Sequence, residues 1–329
     1  MGGGSWPPPE PPPAIPMLPF LLRRLAWLIP AWFFVAVISF LIIRLTPGDP
    51  AAVLLGHESA EGIALIRQRL GLDEPLLIQL GIFLRGLLHL DLGDSYFLGQ
   101  SVWVALISRI PVTLSLALLA TAFAVVIGIP LGILASLKPN TPRDTSIMFV
   151  SLIGLSIPEF VLGLALIFTL AVTWGVLPSG GFVPIQDGVW EWFRHLAMPA
   201  IALGFMQSAY LARITRSSML EALGSDFVRT ARAKGLRNHS VVVKHALKNA
   251  IIPVITALGL VFAMLMSGAF ITEALFRLPG TGTLVINAVK RRDYPVVQGS
   301  LLFLTTLVLF VNLVIDSLYA LFDPRIRYD

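Results

Sequence analysis

Cysteine is absent from the 329-residue sequence, and charged residues make up only 13% of it. The lack of cysteine excludes disulfides, thiolate metal sites and cysteine nucleophiles. A soluble globular domain carries roughly 25% charged residues, so the shortage of charge indicates a membrane protein. The formal net charge is +5, but there is no stripe of basic and aromatic residues to suggest contact with a nucleic acid.

The sequence also lacks the motifs that would make it an enzyme. G-x-x-x-x-G-K-[ST] occurs nowhere, and the nearest glycine-rich piece, LPGTGTL at 278–284, has no lysine to reach a phosphate. His57-Glu58 has no second histidine four residues on, and G-x-S-x-G is absent. We therefore predict no catalytic residue, no cofactor-binding residue and no metal ligand in this chain.

Long apolar runs dominate what is present, and they predict an all-α membrane protein with six transmembrane helices. Residues 1–19 hold eight prolines and are expected to form a disordered tail before the membrane domain of 20–329. A mixed stretch at 51–109 is expected to form an amphipathic cap on the extracytoplasmic face. The predicted spans are residues 25–43, 110–137, 146–174, 196–212, 250–272 and 295–322.

Charge decides the predicted orientation, because cytoplasmic loops carry an excess of Lys and Arg. Arg23 and Arg24 place the N-terminus in the cytoplasm, and six crossings bring the C-terminus back to the same side. One segment opposes the rule, since Lys290, Arg291 and Arg292 fall on the outer side. Moving them inside would leave one crossing too many or too few, so six spans are retained.

The most polar stretch, residues 213–249, lies between two uncharged hydrophobic runs and carries eight Lys or Arg against two acids. It is predicted to be a cytosolic loop. Attraction of its basic residues to anionic lipid headgroups would explain the charges by itself. It would not explain a capped helix with an apolar patch, so docking of a partner is the favoured interpretation.

That helix is predicted over residues 226–234, with Ser225 as its N-cap and Gly235 at its C-terminal end. Phe227, Ala231 and Lys234 fall at i, i+4 and i+7, which would give one narrow face of aromatic, small and cationic residues. So short a helix is marginal alone in water and is expected to pack on something else.

Several motifs together resemble a known family. The segments TRSSMLEALGSDFVRTARAKGL and HALKNAIIPV are very similar to those of inner-membrane permease subunits of the binding-protein-dependent ABC importers, dipeptide/oligopeptide branch. The similarity extends from LLRRLAWLIP through LIIRLTPGDP, DLGDSY, RIPVTLSLALLA and RRDYPVVQG to DPRIRY, and only the proline-rich head lies outside it. The resemblance implies the type I ABC importer permease fold, in a bacterial inner membrane, with a cytosolic coupling helix.

The resemblance also implies partners and a substrate class. The partners would be a second homologous permease, two ATP-binding subunits that hold ATP and Mg, and an extracytoplasmic substrate-binding protein. Di- or oligopeptides are the family's usual substrates, although related systems carry nickel, glutathione or sugars. The wider superfamily has E-A-A where this loop has Arg229-Thr230-Ala231, and I-x-L-P where it has residues 245–248, so no mechanism that needs an acid at position 229 is expected here.

Two groups of site residues follow from this interpretation. Glu159 is the most conspicuous charge within a span, and its carboxylate would either face the path or pair with a group of the sister subunit. The residues expected along the translocation path are Ser156, Glu159, Gln207, Tyr210 and Glu273. The residues expected to dock on the ATP-binding subunits are Glu221, Gly224, Asp226, Phe227, Arg229, Ala231, Lys234 and Gly235.

A self-standing secondary transporter or channel is the main competing hypothesis. Such a protein is expected to show paired intramembrane charges or repeated halves, and neither is visible in the sequence. A membrane enzyme is a more distant alternative, because the chain has no nucleophile with a nearby base and no metal-binding motif.

Overall fold

A computed structural model describes residues 17–45, 51, 64, 67–68 and 71–322 of the chain. Every regular element in this part is helical, and Asp94 and Ser101 form an isolated β-bridge. Residues 1–16 of the predicted tail lie outside the described residues, whereas 17–19 belong to the first helix. The expectation of an all-helical protein is confirmed for the described ranges.

The first three helices lead into the centre of the molecule. Helix α2 begins directly after Pro75, and Gly71 has a φ of +62°. The cap predicted over 51–109 is only partly covered, because most of 52–70 lies outside the described residues. The helices are α1 (Met17–Leu45), α2 (Leu76–Leu88) and α3 (Val102–Ser136).

The predicted span 146–174 is divided between two helices. Helix α4 is Pro142–Ser156, and α5 is Glu159–Leu166, which continues as a π-helix over Ile167–Thr173. The two parts are bent by 94°. The bend occurs because proline has no N–H to donate and disfavours helical geometry in the residue before it, so Ile157 before Pro158 is extended, at φ −85° and ψ 118°.

The second half of the chain contains the longest helix, the polar loop and the C-terminal helices. Predicted span 250–272 crosses a helix break at Ala269, which separates α8 from α9. The one-turn helix Asn238–Ser240 and the π-helix Val241–Ala246 lead into α8. The helices are α6 (Val189–Gly224), α7 (Asp226–Ala233), α8 (Leu247–Gly268), α9 (Phe270–Leu275), α10 (Thr281–Arg291) and α11 (Tyr294–Phe322).

Fewer helices than six meet the length and composition expected of a membrane span. Within the described part, the segments Val102–Ser136, Asn238–Ser267 and Tyr294–Val314 are long and apolar enough, and the bent α4–α5 pair is a fourth if it counts as one span. Helix α6 is 36 residues long, but polar residues such as Gln207 and Ser208 interrupt its apolar part. The six-span arrangement therefore belongs with the proposals below.

Helices α3 and α6 form the centre of the largest buried cluster, together with α8. Two glycines of α3 bring the helices into backbone contact. A Cβ at Gly128 would lie 2.5 Å from the carbonyl oxygen of Ser208, and one at Gly132 would lie 2.5 Å from that of Ala212. Small residues at such crossings are typical of helices packed in membranes, where close van der Waals contact holds helices together.

Candidate coupling surface and translocation path

Helix α7 begins and ends close to where the sequence predicts. Asp226–Ala233 is helical and Lys234 is its C-cap, after which Gly235 has a φ of +75°. That left-handed backbone favours glycine, because a β-carbon would be strained there. Ser225 occupies the N-cap position, but its hydroxyl donates to the Ala222 carbonyl at 2.5 Å and does not accept a hydrogen bond from α7.

Of the three residues predicted to share one face of α7, Ala231 packs against this chain, whereas Phe227 and Lys234 are exposed. Val228 and Ala231 are 0% and 5% exposed, whereas Phe227 is 44% exposed. Ala231 is among the residues predicted to dock on the ATP-binding subunits, and its methyl group is covered by this chain's own residues. The buried cluster around it consists of Met219, Ala222, Val228, Val241, Val242, Ala246 and Ala250.

The outer face of α7 carries an aromatic ring among charges. Phe227 is half-exposed, and Asp226, Arg229 and Lys234 are exposed around it. Arg229 Nη1 lies 3.3 Å from Asp226 Oδ1, with side chains 75% and 95% exposed, so the pair adds little stability. Glu221 and Gly224, near the end of α6, are also exposed. Helix α7 is thus anchored on one side and open on the other.

An ion pair fixes α6 to the start of α4 near this surface. Arg216 donates from Nε to Asp144 Oδ1 and from Nη2 to Asp144 Oδ2, both at 2.6 Å. The Asn140 N–H donates to Asp144 Oδ2 at 2.9 Å. The side chains of Arg216 and Asp144 are 24% and 4% exposed, and such two-point contact between guanidinium and carboxylate is geometrically specific.

The residues predicted along the path have different environments. Ser156 is exposed at the end of α4, and its hydroxyl donates to the Leu152 carbonyl at 3.0 Å. Glu159 is half-buried in the first turn of α5, directly after the bend. On α6, Gln207 is 9% exposed, and Tyr210 packs against the central cluster. Within the described residues, no hydrogen bond or ion pair joins any two of these five.

Glu273 does not line an open path within the described part of the chain. Its side chain is 0% exposed. Thr113 Oγ1 donates to Glu273 Oε1 at 2.6 Å, and the Thr283 N–H donates to Glu273 Oε2 at 3.0 Å. A Cβ at Gly280 would overlap the Glu273 carboxylate. The carboxylate therefore fills a space left by glycine and satisfies the N-terminus of α10.

Sequence reasoning missed three residues that organise these regions. Thr113 and Arg109, one turn apart on α3, both bind the segment that leads into α10. The Thr281 N–H donates to Thr113 Oγ1 at 2.9 Å, and Arg109 Nη1 donates to the Pro279 carbonyl at 3.2 Å. Arg216 was counted only as one of the loop cations. No local pattern reveals these contacts, because the partners lie 168, 170 and 72 positions apart.

Comparison with known families identifies the chain. Residues 128–328 match the family described as binding-protein-dependent transport system inner membrane component, and residues 17–117 match the N-terminal region of the same membrane components. The chain belongs to this family. In the described part of this family member, no group of three or more His, Asp or Glu side chains is placed to hold a metal ion.

Relatives of this permease family are similar over nearly the whole chain. A Brucella abortus protein named as a peptide transport system permease is 44% identical over 314 residues, which cover 95% of this chain and 100% of the relative. The dipeptide transport system permease protein DppB of Escherichia coli is 40% identical over 337 residues, covering 95% and 99%. The resemblance predicted from the motifs is confirmed.

A solved structure shares the fold. A chain of the MetNI methionine ABC transporter in an inward-facing conformation superposes with a TM-score of 0.55 at 20% identity, covering 67% of this chain and 97% of that chain. At this identity the likeness concerns the fold alone.

Proposed function

We propose that this chain is one of two permease subunits of an ATP-driven importer and that it lines the path for di- or oligopeptides. Its relatives at 40–44% identity are named as peptide or dipeptide permeases, and its family depends on a binding protein by description. ATP and Mg would be held by separate ATP-binding subunits, because the sequence has no phosphate-binding motif. A self-standing channel has no comparable support.

In this proposal, the six predicted spans cross the inner membrane with both termini in the cytoplasm. Loop 213–249 then lies in the cytosol, and α7 docks on an ATP-binding subunit. The observation that carries this docking assignment is that α7 is packed on one side and open on the other. Val228 and Ala231 are buried within the chain, and Phe227 is 44% exposed. A helix of eight residues, about two turns, is marginal alone, so this anchoring supplies the rigidity that a mechanical contact needs.

Force applied to α7 would reach the bilayer through α6. Only Ser225 separates the two helices, and the Arg216–Asp144 pair ties α6 to α4. Closure of the ATP-binding subunits on nucleotide would move α7, and α6 and α4 would move with it, tilting the bent α4–α5 pair that carries Glu159. Rigid-body movement of this kind is a common route to alternating access.

Replacement of Phe227 tests the docking proposal. Phe227→Asp puts a charge where an aromatic ring is expected to enter a partner's groove, so the ATP-binding subunits should be lost during purification in detergent. The matched control is Leu90→Asp, since Leu90 is also exposed, at 82%, and lies between α2 and α3, outside α7 and the cluster that anchors it. Retention of the ATP-binding subunits by Phe227→Asp at the wild-type ratio would exclude α7 as the docking element.

A further inference from the structure

Three consecutive cations stand on the side of the molecule where a membrane protein is expected to have few. Lys290 and Arg291 are exposed in the last turn of α10, and Arg292 follows as its C-cap in the left-handed conformation, at φ 57°. Cations do stabilise a helix C-terminus. That effect needs one or two of them, and it does not explain the cavity that Arg291 lines.

Arg109 and Arg291 line the same small crevice, which has a volume of about 200 Å³. Arg109 is half-buried and donates to one backbone oxygen, that of Pro279. The Arg291 guanidinium lies 6.0 Å from the centre of the Phe97 ring. Neither arginine forms an ion pair with a carboxylate in the described ranges. A guanidinium has five N–H donors, and the described hydrogen bonds use one at Arg109 and none at Arg291, so the crevice offers two guanidinium groups to an anion.

The one carboxylate of the crevice lining is already engaged. Asp293 is 2% exposed, and it accepts from Ser95 Oγ at 2.5 Å and from the Tyr96 N–H at 3.2 Å. Ser95 Oγ in turn accepts from the Leu98 N–H at 2.9 Å. These bonds fasten the start of α11 to the loop that carries Phe97. The wall of the crevice is therefore rigid, and a rigid site loses less entropy when a ligand binds.

The crevice lies at the opposite end of the molecule from α7. Arg109 is near the start of α3, whereas Ile133, near its other end, packs against the cluster that anchors α7. The helix between them is about 36 Å long, roughly the thickness of a bilayer core. If α7 is cytosolic, as the proposed function has it, the crevice faces the extracytoplasmic side.

We propose that this crevice receives an acidic side chain of the extracytoplasmic binding protein when that protein docks on the permease. Small-molecule sites usually measure about 300–1,000 Å³, so a space of about 200 Å³ suits one Asp or Glu side chain better than a peptide. The forked guanidinium groups match a carboxylate in shape as well as charge. Lys290 and Arg292 extend the positive surface around the opening, which complements an acidic face and speeds encounter.

The test measures docking separately from ATP-driven transport. The full importer is placed in nanodiscs, and the affinity of the purified substrate-binding protein of the same system, loaded with a dipeptide, is determined. Arg291→Glu is the central variant, because the described contacts of Arg291 include no hydrogen bond that a substitution would break. We expect its Kd to rise about tenfold or more, with a weaker dependence on salt than in the wild type.

Arg85→Glu is the matched control, since Arg85 is an exposed arginine of α2 near the same end of the molecule and does not line the crevice. Its Kd should stay within about twofold of the wild type. An unchanged Kd for Arg291→Glu, or an equal change for Arg85→Glu, would overturn the proposal. Two other results would also overturn it. If Arg291→Glu lost peptide uptake but docked normally, the carboxylate bound in the crevice would belong to the substrate. If the Kd depended on anionic lipid alone, the crevice would bind lipid headgroups.

The proposed function can fail independently of this inference. If the wild-type importer does not retain ATP-binding subunits or does not bind the binding protein at all, the permease assignment is at fault. If the wild type does both and Arg291→Glu docks normally, only the crevice proposal is wrong.

Discussion

The ion pair between Arg216 and Asp144 provides the sharpest quantitative prediction. In Arg216→Gln, the Asp144 carboxylate, 4% exposed, keeps only the Asn140 N–H as a donor among the described residues. Leaving one charge of a buried pair without its partner costs about 3–5 kcal/mol. Because Arg216 itself is 24% exposed and water can reach the site, we expect a loss of unfolding free energy near the lower end, about 3 kcal/mol.

The double variant separates the pair from the packing around it. Asp144→Asn removes the other charge, and Asp144→Asn with Arg216→Gln removes both, so no buried charge is left unpaired. The double variant should therefore be less destabilised than the sum of the two single variants, by about 1–3 kcal/mol. The measurement is unfolding in mixed detergent micelles, followed by tryptophan fluorescence, with all four proteins in the same lipid and salt.

The half-exposed pair of Arg194 and Glu191 is the matched control. It has a single 3.0 Å contact and side chains 33% and 46% exposed, so Glu191→Gln should cost less than about 1 kcal/mol. If the Asp144 and Arg216 effects add within about 0.5 kcal/mol, the pair does not couple α6 to α4. The path proposed for force transmission would then have to run through apolar packing alone.

Two further predictions concern buried groups. Ala231→Glu places a carboxylate in the cluster around Val228, where Ala231 is 5% exposed, so the protein should lose folded yield and melt at a lower temperature. The control Arg232→Glu changes the next residue, which is exposed, and should melt normally. Normal melting of Ala231→Glu would show that α7 is loosely held. Thr113→Val removes the hydroxyl that donates to Glu273 at 2.6 Å and should lower the unfolding free energy by about 1–3 kcal/mol, measured by the same unfolding assay. The control is Thr169→Val, since Thr169 is exposed. Equal losses in the two variants would contradict the role of Thr113.

The sequence was sufficient for those features that depend on neighbouring residues. Apolar runs predicted helices, and Ser225 and Gly235 bounded α7 because the ends of a short helix are set by local backbone preferences. Pro158 was visible as well, but whether a proline kinks a helix slightly or turns it by 94° depends on how the two halves pack. Family membership followed from ordered motifs, which the comparisons confirmed.

Tertiary structure alone decided which side of each element is used. Spacing gave Phe227, Ala231 and Lys234 one face, but α7 buries Val228 with Ala231 because residues of α6 and of the segment before α8 converge there. Nothing in the sequence distinguishes Glu273 from the other acidic residues. Its contact with Thr113, 160 positions away, is visible only in the structure and shows that its carboxylate is enclosed. Helical periodicity determines which residues share a stripe, whereas the packing of distant segments determines whether that stripe meets protein, lipid or water.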